Sequence, residues 1–150
     1  MASAAEDIVT EIVTLLTVPA LVSVPASRVF RDVIDARRVA DMPCIAVEAG
    51  DEDAPARSLI GVKDRRLQVD VTVLAKGVTP YAQADAVLVE SHNRIFGAQT
   101  LSGMWLNGLA LDVIEGPTRR ARDGVSDDVA AITKTYVIAY RTAERSIERL

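Results

Sequence analysis

Few residues of this 150-residue chain are of the types that do chemistry, and their spacing argues against most of it. Cys44 is the only cysteine, so no internal disulfide is possible. Its setting, Met42-Pro43-Cys44-Ile45-Ala46-Val47, is apolar and strand-like, which predicts a buried, inert thiol and not a nucleophile. His92 is the only histidine and has no second histidine or cysteine at ligand spacing. It is expected as a packed or a partly exposed helical side chain, because a general base needs a hydrogen-bonded partner that the sequence does not place. Asp51-Glu52-Asp53 offers oxygen ligands for a hard cation but lacks the glycine and terminal glutamate of a calcium loop, so it reads as a solvated loop tip. Arg119, Arg120 and Arg122 form a basic trio that suits phosphate, a partner's acidic rim or simple solvation. Trp105, the only tryptophan, is either a core plug or an interface anchor. A glycine-rich phosphate loop, a Cys/His metal spacing, a nucleophile elbow and a dinucleotide fingerprint are all missing from the sequence. No catalytic residue, cofactor or metal site is expected, and the chain does not read as an enzyme.

The elements that must position these residues follow from periodicity. Leu67, Val69, Val71, Val73 and Ala75 alternate with Gln68, Asp70 and Thr72, which predicts a strand over 65–75 with one buried face. Val129 to Thr142 predicts a second long strand, apolar on both faces and so central or covered by a neighbouring subunit. Ser3-Ala4-Ala5-Glu6 is a capping box ahead of an amphipathic helix over 4–17, ended by Pro19. Residues 18–27 are expected extended, Val29 to Ile34 as a strand, and Cys44 to Glu48 as a short strand. Residues 49–64 read as a long polar connection. Thr79-Pro80 opens a second helix, with Tyr81, Ala84, Leu88, His92 and Ile95 on one face and Gly97 as its stop. Asn107-Gly108 signals a turn, Leu109 to Glu115 a strand, and 116–128 a charged hairpin connection carrying the arginines. Residues 143–150 are a polar extension with helical character. The fold class is therefore α+β, a mainly antiparallel sheet packed against two helices, in a single domain over 1–150.

The bulk numbers agree with such a domain. Hydrophobic residues make up 49% and the mean hydropathy is +0.19, which excludes disorder of the whole chain. Seventeen basic against 21 acidic residues give a net charge of −4, which argues against a surface devoted to nucleic acid. The acidic N-terminus lacks the basic region of a signal peptide, and no apolar run is long enough to span a membrane, so a cytosolic origin is expected.

The order of segments resembles a known family. An N-terminal amphipathic helix leads to Asp41-Met42-Pro43-Cys44-Ile45-Ala46-Val47-Glu48 and an acidic loop. Leu67-Gln68-Val69-Asp70-Val71-Thr72-Val73 follows, then a helix with Ala84-Asp85 and His92. A Leu-rich ribbon and a last strand, Tyr136-Val137-Ile138-Ala139-Tyr140-Arg141-Thr142, complete the series. Over roughly residues 1 to 142 this is similar to the tail terminator, or tail completion, proteins of long-tailed bacteriophages, the lambda-type minor tail protein U group. The likeness is one of order and character, without a signature motif.

The resemblance implies a structural protein that assembles with itself into a six-membered ring, a closed heterologous assembly. Such a ring caps the tail tube, ends its polymerisation and offers a surface to the head-side connector protein. It implies no catalytic residues and no cofactors, and no sequence-specific nucleic-acid contact although DNA passes through the lumen. The place of action would be the neck end of the virion tail, after synthesis in the host bacterial cytoplasm. Asp51, Glu52, Asp53, Trp105, Arg119, Arg120 and Arg122 are then candidates for subunit or tube contacts. Two alternatives stand beside this one. The first is another neck component, a head completion or head–tail adaptor protein. The second, of a different class, is a small cytosolic ligand-binding module or enzyme with a pocket near His92 or the acidic stretch. A nucleic-acid binder using the arginines is a third and weaker reading.

Overall fold

A computed structural model describes residues 2–32, 42–54, 57–99, 103–122 and 129–148. Helix α1, Ala4–Thr17, starts where the sequence predicts, with the Ser3 hydroxyl accepting from the Glu6 N–H at 3.2 Å. Only this half of the capping box forms. The Glu6 carboxylate turns instead to Arg31, 2.9 Å away, whose hydrogen bond holds it below the usual carboxylate range. The other end of α1 carries no basic residue of its own. Arg94 supplies one from outside, donating to the Leu15 and Pro19 carbonyls at 3.0 and 2.6 Å. A cap contributes about 1 kcal/mol, whereas each fully buried Ile or Leu contributes about 1.5–3 kcal/mol. Burial of Ile8, Val9, Ile12 and Leu16 therefore dominates in holding α1 down.

The strands are β1 (Val29–Phe30), β2 (Cys44–Asp53), β3 (Arg57–Leu59), β4 (Val62–Lys76), β5 (Asp112–Arg122) and β6 (Val129–Ala143). They form one sheet in the order β1-β2-β4-β6-β5, with β3 alongside β4. Every pairing is antiparallel except β1 with β2. Helix α2 is Pro80–Phe96. Among the described residues the fold is α+β, a mainly antiparallel sheet with two α-helices. Both helices pack on one side, over the face carrying Leu67, Val69, Val71 and Val73 of β4 and Ile132, Tyr136 and Ile138 of β6. Among the described residues, no helix is long and apolar enough to cross a membrane.

Several expectations are corrected. The connection over 49–64 is mostly strand, because β2 runs on through Asp53 past a bulge and β4 begins at Val62. Its polar composition hid it, since a strand edge in water needs no apolar face. Likewise β5 continues through Gly116-Pro117 to Arg122, with a bulge between Glu115 and Thr118 that tolerates the proline on an edge strand. Gly116 lies so close to β6 that an added Cβ would meet the Thr135 carbonyl at 3.0 Å. Thr79 stands at the N-cap of α2 but its hydroxyl makes no capping bond. Residues 18–27 form turns, bends and a short 3-10 turn instead of an extended run. The described tail residues 144–148 form turns and bends and no helix, and the Ile147 carbonyl accepts from the Ala4 N–H at 2.9 Å. Of the strand expected at Val29 to Ile34 only Val29–Phe30 is strand, Arg31 and Asp32 follow as irregular chain, and residues 33–41 and 123–128 lie outside the described residues.

Glu90 of α2 ties down the segment after α1, accepting from the Val22 N–H and from the Ser23 N–H and hydroxyl. Burial pushes its carboxyl up, but these bonds and the nearby Arg94 charge outweigh burial and hold it below the usual range. A depressed carboxylate lends stability that is full above its unfolded-state pKa and is lost as pH falls through the folded value. Glu90→Gln is expected to cost about 1 kcal/mol at neutral pH, a Tm drop of about 2–4 °C. Thermal melts in a pH series test this, the expected result being a gap that closes as the pH falls below the carboxylate range.

Candidate functional site

Along α2, the buried residues are Ala84, Val87, Leu88, Ser91 and Ile95, a stripe that keeps Ala84, Leu88 and Ile95 of the expected face and has Val87 and Ser91 in place of Tyr81 and His92. That stripe leaves His92 at the rim. Its ring stacks on Phe96 with centroids 4.6 Å apart. Its Nδ1 lies 2.9 Å from the Tyr136 hydroxyl and its Nε2 lies 2.9 Å from a Glu115 carboxylate oxygen. The bonding pattern assigns the proton of the neutral ring to Nε2, which donates to Glu115 while Nδ1 accepts from Tyr136. Burial pushes the Tyr136 phenol well up, and the Glu115 charge adds to it, so the hydroxyl stays a donor.

This chain of polar groups borders a cavity of about 200 Å³ between α2 and the β5–β6 pair. Leu88 and Val89 form its apolar wall, and Glu115, Thr118, Arg120 and Lys134 its polar one. Lys134 sits 3.9 Å from Glu115, and Arg120 lies 3.3 Å from Asp85 of α2. The sequence missed Tyr136, Glu115, Lys134 and Asp85 as a group. One signal was available: Lys134 is the only charged residue on the otherwise apolar face that Ile132, Tyr136 and Ile138 present.

The expected contact residues do not form one cluster. Asp51, Glu52 and Asp53 end β2 on one edge of the sheet, while Arg119 and Arg120 lie on β5 at the other. The acids are on a strand and not a loop tip, so Glu52 and Asp53 point to opposite faces and cannot converge on a cation. Glu52 accepts from the Tyr140 hydroxyl and lies 3.7 Å from Arg65. Among the described residues, no group of three His, Cys, Asp or Glu side chains is placed to hold a metal. Arg119 and Arg120 are also on strand, facing opposite sides, and the Arg122 backbone pairs with Ala130. Trp105 is half-buried. Its ring meets Phe96 edge-on at 5.3 Å, and its backbone pairs with Ala110 across a 3-10 turn with Asn107 at φ 57° and Gly108 at φ 83°. Cys44 is fully buried, and burial pushes its thiol up to about 11, as suits an unreactive cysteine.

No protein-family model matches the chain, and no curated protein sequence matches it. Solved structures do. A chain of the structure described as "Virion of native gene transfer agent (GTA) particle" is similar with a TM-score of 0.56 at 13% identity. The likeness covers 93% of this chain and 96% of that one. At that identity it establishes a shared fold over essentially the whole length of both.

The His92–Tyr136 bond has a measurable consequence. Tyr136→Phe leaves Nδ1 without its donor and is expected to cost about 1 kcal/mol, or about 2–4 °C in Tm. A double-mutant cycle with His92→Leu should return a coupling of about 1 kcal/mol by urea denaturation, and additive losses would show that the two side chains do not cooperate.

Proposed function

We propose that this chain is a structural protein of a phage-like virion, and that its role is to close the tail tube as a terminator ring. The observation that carries the reading is the fold shared, end to end, with a chain of a virion particle. The resemblance to tail terminators, which runs from α1 to the end of β6, points to the same class. The sheet is suited to assembly: β5 pairs only with β6, and beyond Ala46 no other strand pairs with the outer side of β2 among the described residues. Open edges of this kind are templates for partners unless charges guard them, and here Asp51, Glu52 and Asp53 line one edge while the other passes from Asp112 and Glu115 to Arg119 and Arg120. Ring neighbours and the tube protein are the partners this reading calls for, with the head-side connector on the far surface.

A ligand-binding or enzymatic reading rests on the His92–Tyr136–Glu115 chain beside a cavity. It is the weaker one. The cavity, about 200 Å³, falls short of the ~300–1,000 Å³ usual for small-molecule sites. Glu115 is also engaged by His92 and lies near Lys134, so it is not poised toward an incoming group.

Native mass spectrometry of the protein, alone and mixed with tail tubes of the same particle, tests the proposal. A closed ring of about six copies, or tubes capped at one end in negative stain, is the expected result. A compact monomer that leaves tubes uncapped would overturn it. Arg119→Glu with Arg120→Glu should weaken ring or tube association without lowering Tm by more than about 1–2 °C, since both side chains are exposed.

A further inference from the structure

The turn from Trp105 to Ala110 is built in the left-handed region of backbone space. Leu106, Asn107 and Gly108 have φ of 50°, 57° and 83°. Glycine enters that region freely, asparagine at some cost and leucine at more. The turn is held by what surrounds it. Leu106 is fully buried, and the Trp105 ring meets Phe96 edge-on. Trp105 and Ala110 bridge at the base, with the Trp105 N–H donating to the Ala110 carbonyl at 2.9 Å. At the apex the Gly108 N–H donates to the Trp105 carbonyl at 3.1 Å, and the Leu109 N–H donates to the Leu106 carbonyl at 3.2 Å.

Asn107-Gly108 at this apex is also a chemically labile pair, and Asn107 is exposed. The side-chain carbonyl carbon of an asparagine is open to attack by the backbone nitrogen of the next residue. A C–N bond forms and closes a succinimide ring, the side-chain amide nitrogen leaves as ammonia, and water opens the ring to aspartate or isoaspartate. Water is the one co-reactant. A glycine in the following position leaves the attacking nitrogen unshielded, because it has no Cβ.

The folded turn withholds that nitrogen in two ways. With Asn107 at ψ 37°, the Gly108 nitrogen lies on the side of the Cα–C bond away from the Asn107 side chain. Ring closure therefore requires this bond to rotate through more than a right angle. The Gly108 N–H is also engaged by the Trp105 carbonyl, and the same rotation breaks that bond. We propose that Asn107 is a deamidation site held unreactive by this turn, converting only when the turn opens. Conversion is one-way. Asn107 borders a groove that it and Leu109 form with Asp7, Thr10 and Glu11 of α1. The carboxylate produced there faces two others, which weakens the seat of the turn on the helix.

Peptide mapping by mass spectrometry tests the site, on the full chain kept at mildly alkaline pH with and without denaturing urea. The mass gained as amide becomes acid marks Asn107, and isomerisation at Asp123-Gly124 does not produce it. Asn93, inside α2 and followed by Arg94, is the internal reference. In the folded protein Asn107 should convert at least about tenfold more slowly than in urea. Leu106→Ala should speed conversion in the folded protein and leave the rate in urea unchanged. Hydrogen exchange at the Gly108 amide reads the opening without any substitution, and its protection should match the protection of Asn107. Equal conversion rates with and without urea would overturn the proposal. So would a Gly108 amide that exchanges freely while Asn107 stays intact. Asn107→Asp should lower Tm by about 1–2 °C at low salt and by less at high salt, and an unchanged Tm would overturn the repulsion from α1.

Discussion

The fifteen-residue ladder between β4 and β6 is the constraint from which the rest of the molecule follows. Val62 to Lys76 pairs without a break with Ala143 to Val129, and the other edge of β4 is taken by β2 and β3. The strand with the strongest apolar alternation thus has both backbone edges bonded over nearly its whole length, leaving its N–H and C=O groups little to offer a partner. Unpaired edges are displaced outward, to β2 on one side and β5 on the other. Both carry fewer large apolar residues than β4 or β6.

The two faces of the sheet divide along the same lines. The helix side is a continuous core in which Tyr136 is the largest fully buried side chain, its one polar atom bonded to His92. On the other side, small and hydroxylated residues pair across strands. Thr72 and Thr133 share a hydrogen bond of 3.0 Å, and Thr135 donates to Asp70 at 2.7 Å. Cys44, Ala46 and Leu74 make a small apolar patch there with Phe30, Met42 and Ala131 packed against it. Cross-strand hydroxyl pairs hold register without requiring a second layer. The long β4–β6 ladder can therefore stay in register beneath a face that no described helix covers.

What could be read from the sequence was what periodicity reports. Both helices and both long strands are within a few residues of their expected limits, because each buries a regular apolar stripe. The ends of β2 and β5 were read as loops because Asp51-Glu52-Asp53 and Thr118-Arg119-Arg120 have no apolar alternation to report. They are strand because β4 and β6 beside them offer backbone partners, a tertiary effect that composition does not carry. The His92 surroundings were illegible for a related reason. The buried stripe keeps Ala84, Leu88 and Ile95 but runs through Val87 and Ser91, which leaves His92 at the rim, where β5 and β6 supply Glu115 and Tyr136.

Charge is distributed differently along the two edges. The β2 edge ends in Asp51, Glu52 and Asp53, whereas β5 opens with Asp112 and Glu115 and closes with Arg119 and Arg120. An edge-to-edge contact therefore depends on register, being favourable to the β2 acids only where the arginine half of β5 lies against them. In the sheet β2 and β5 run in opposite directions, since three antiparallel pairings separate them. Copies meeting β2 to β5 in one continuous sheet would pair antiparallel, the commoner and slightly stronger pairing. A two-fold contact consumes its own surface and stops at a dimer, whereas a polar contact continues until geometry closes it.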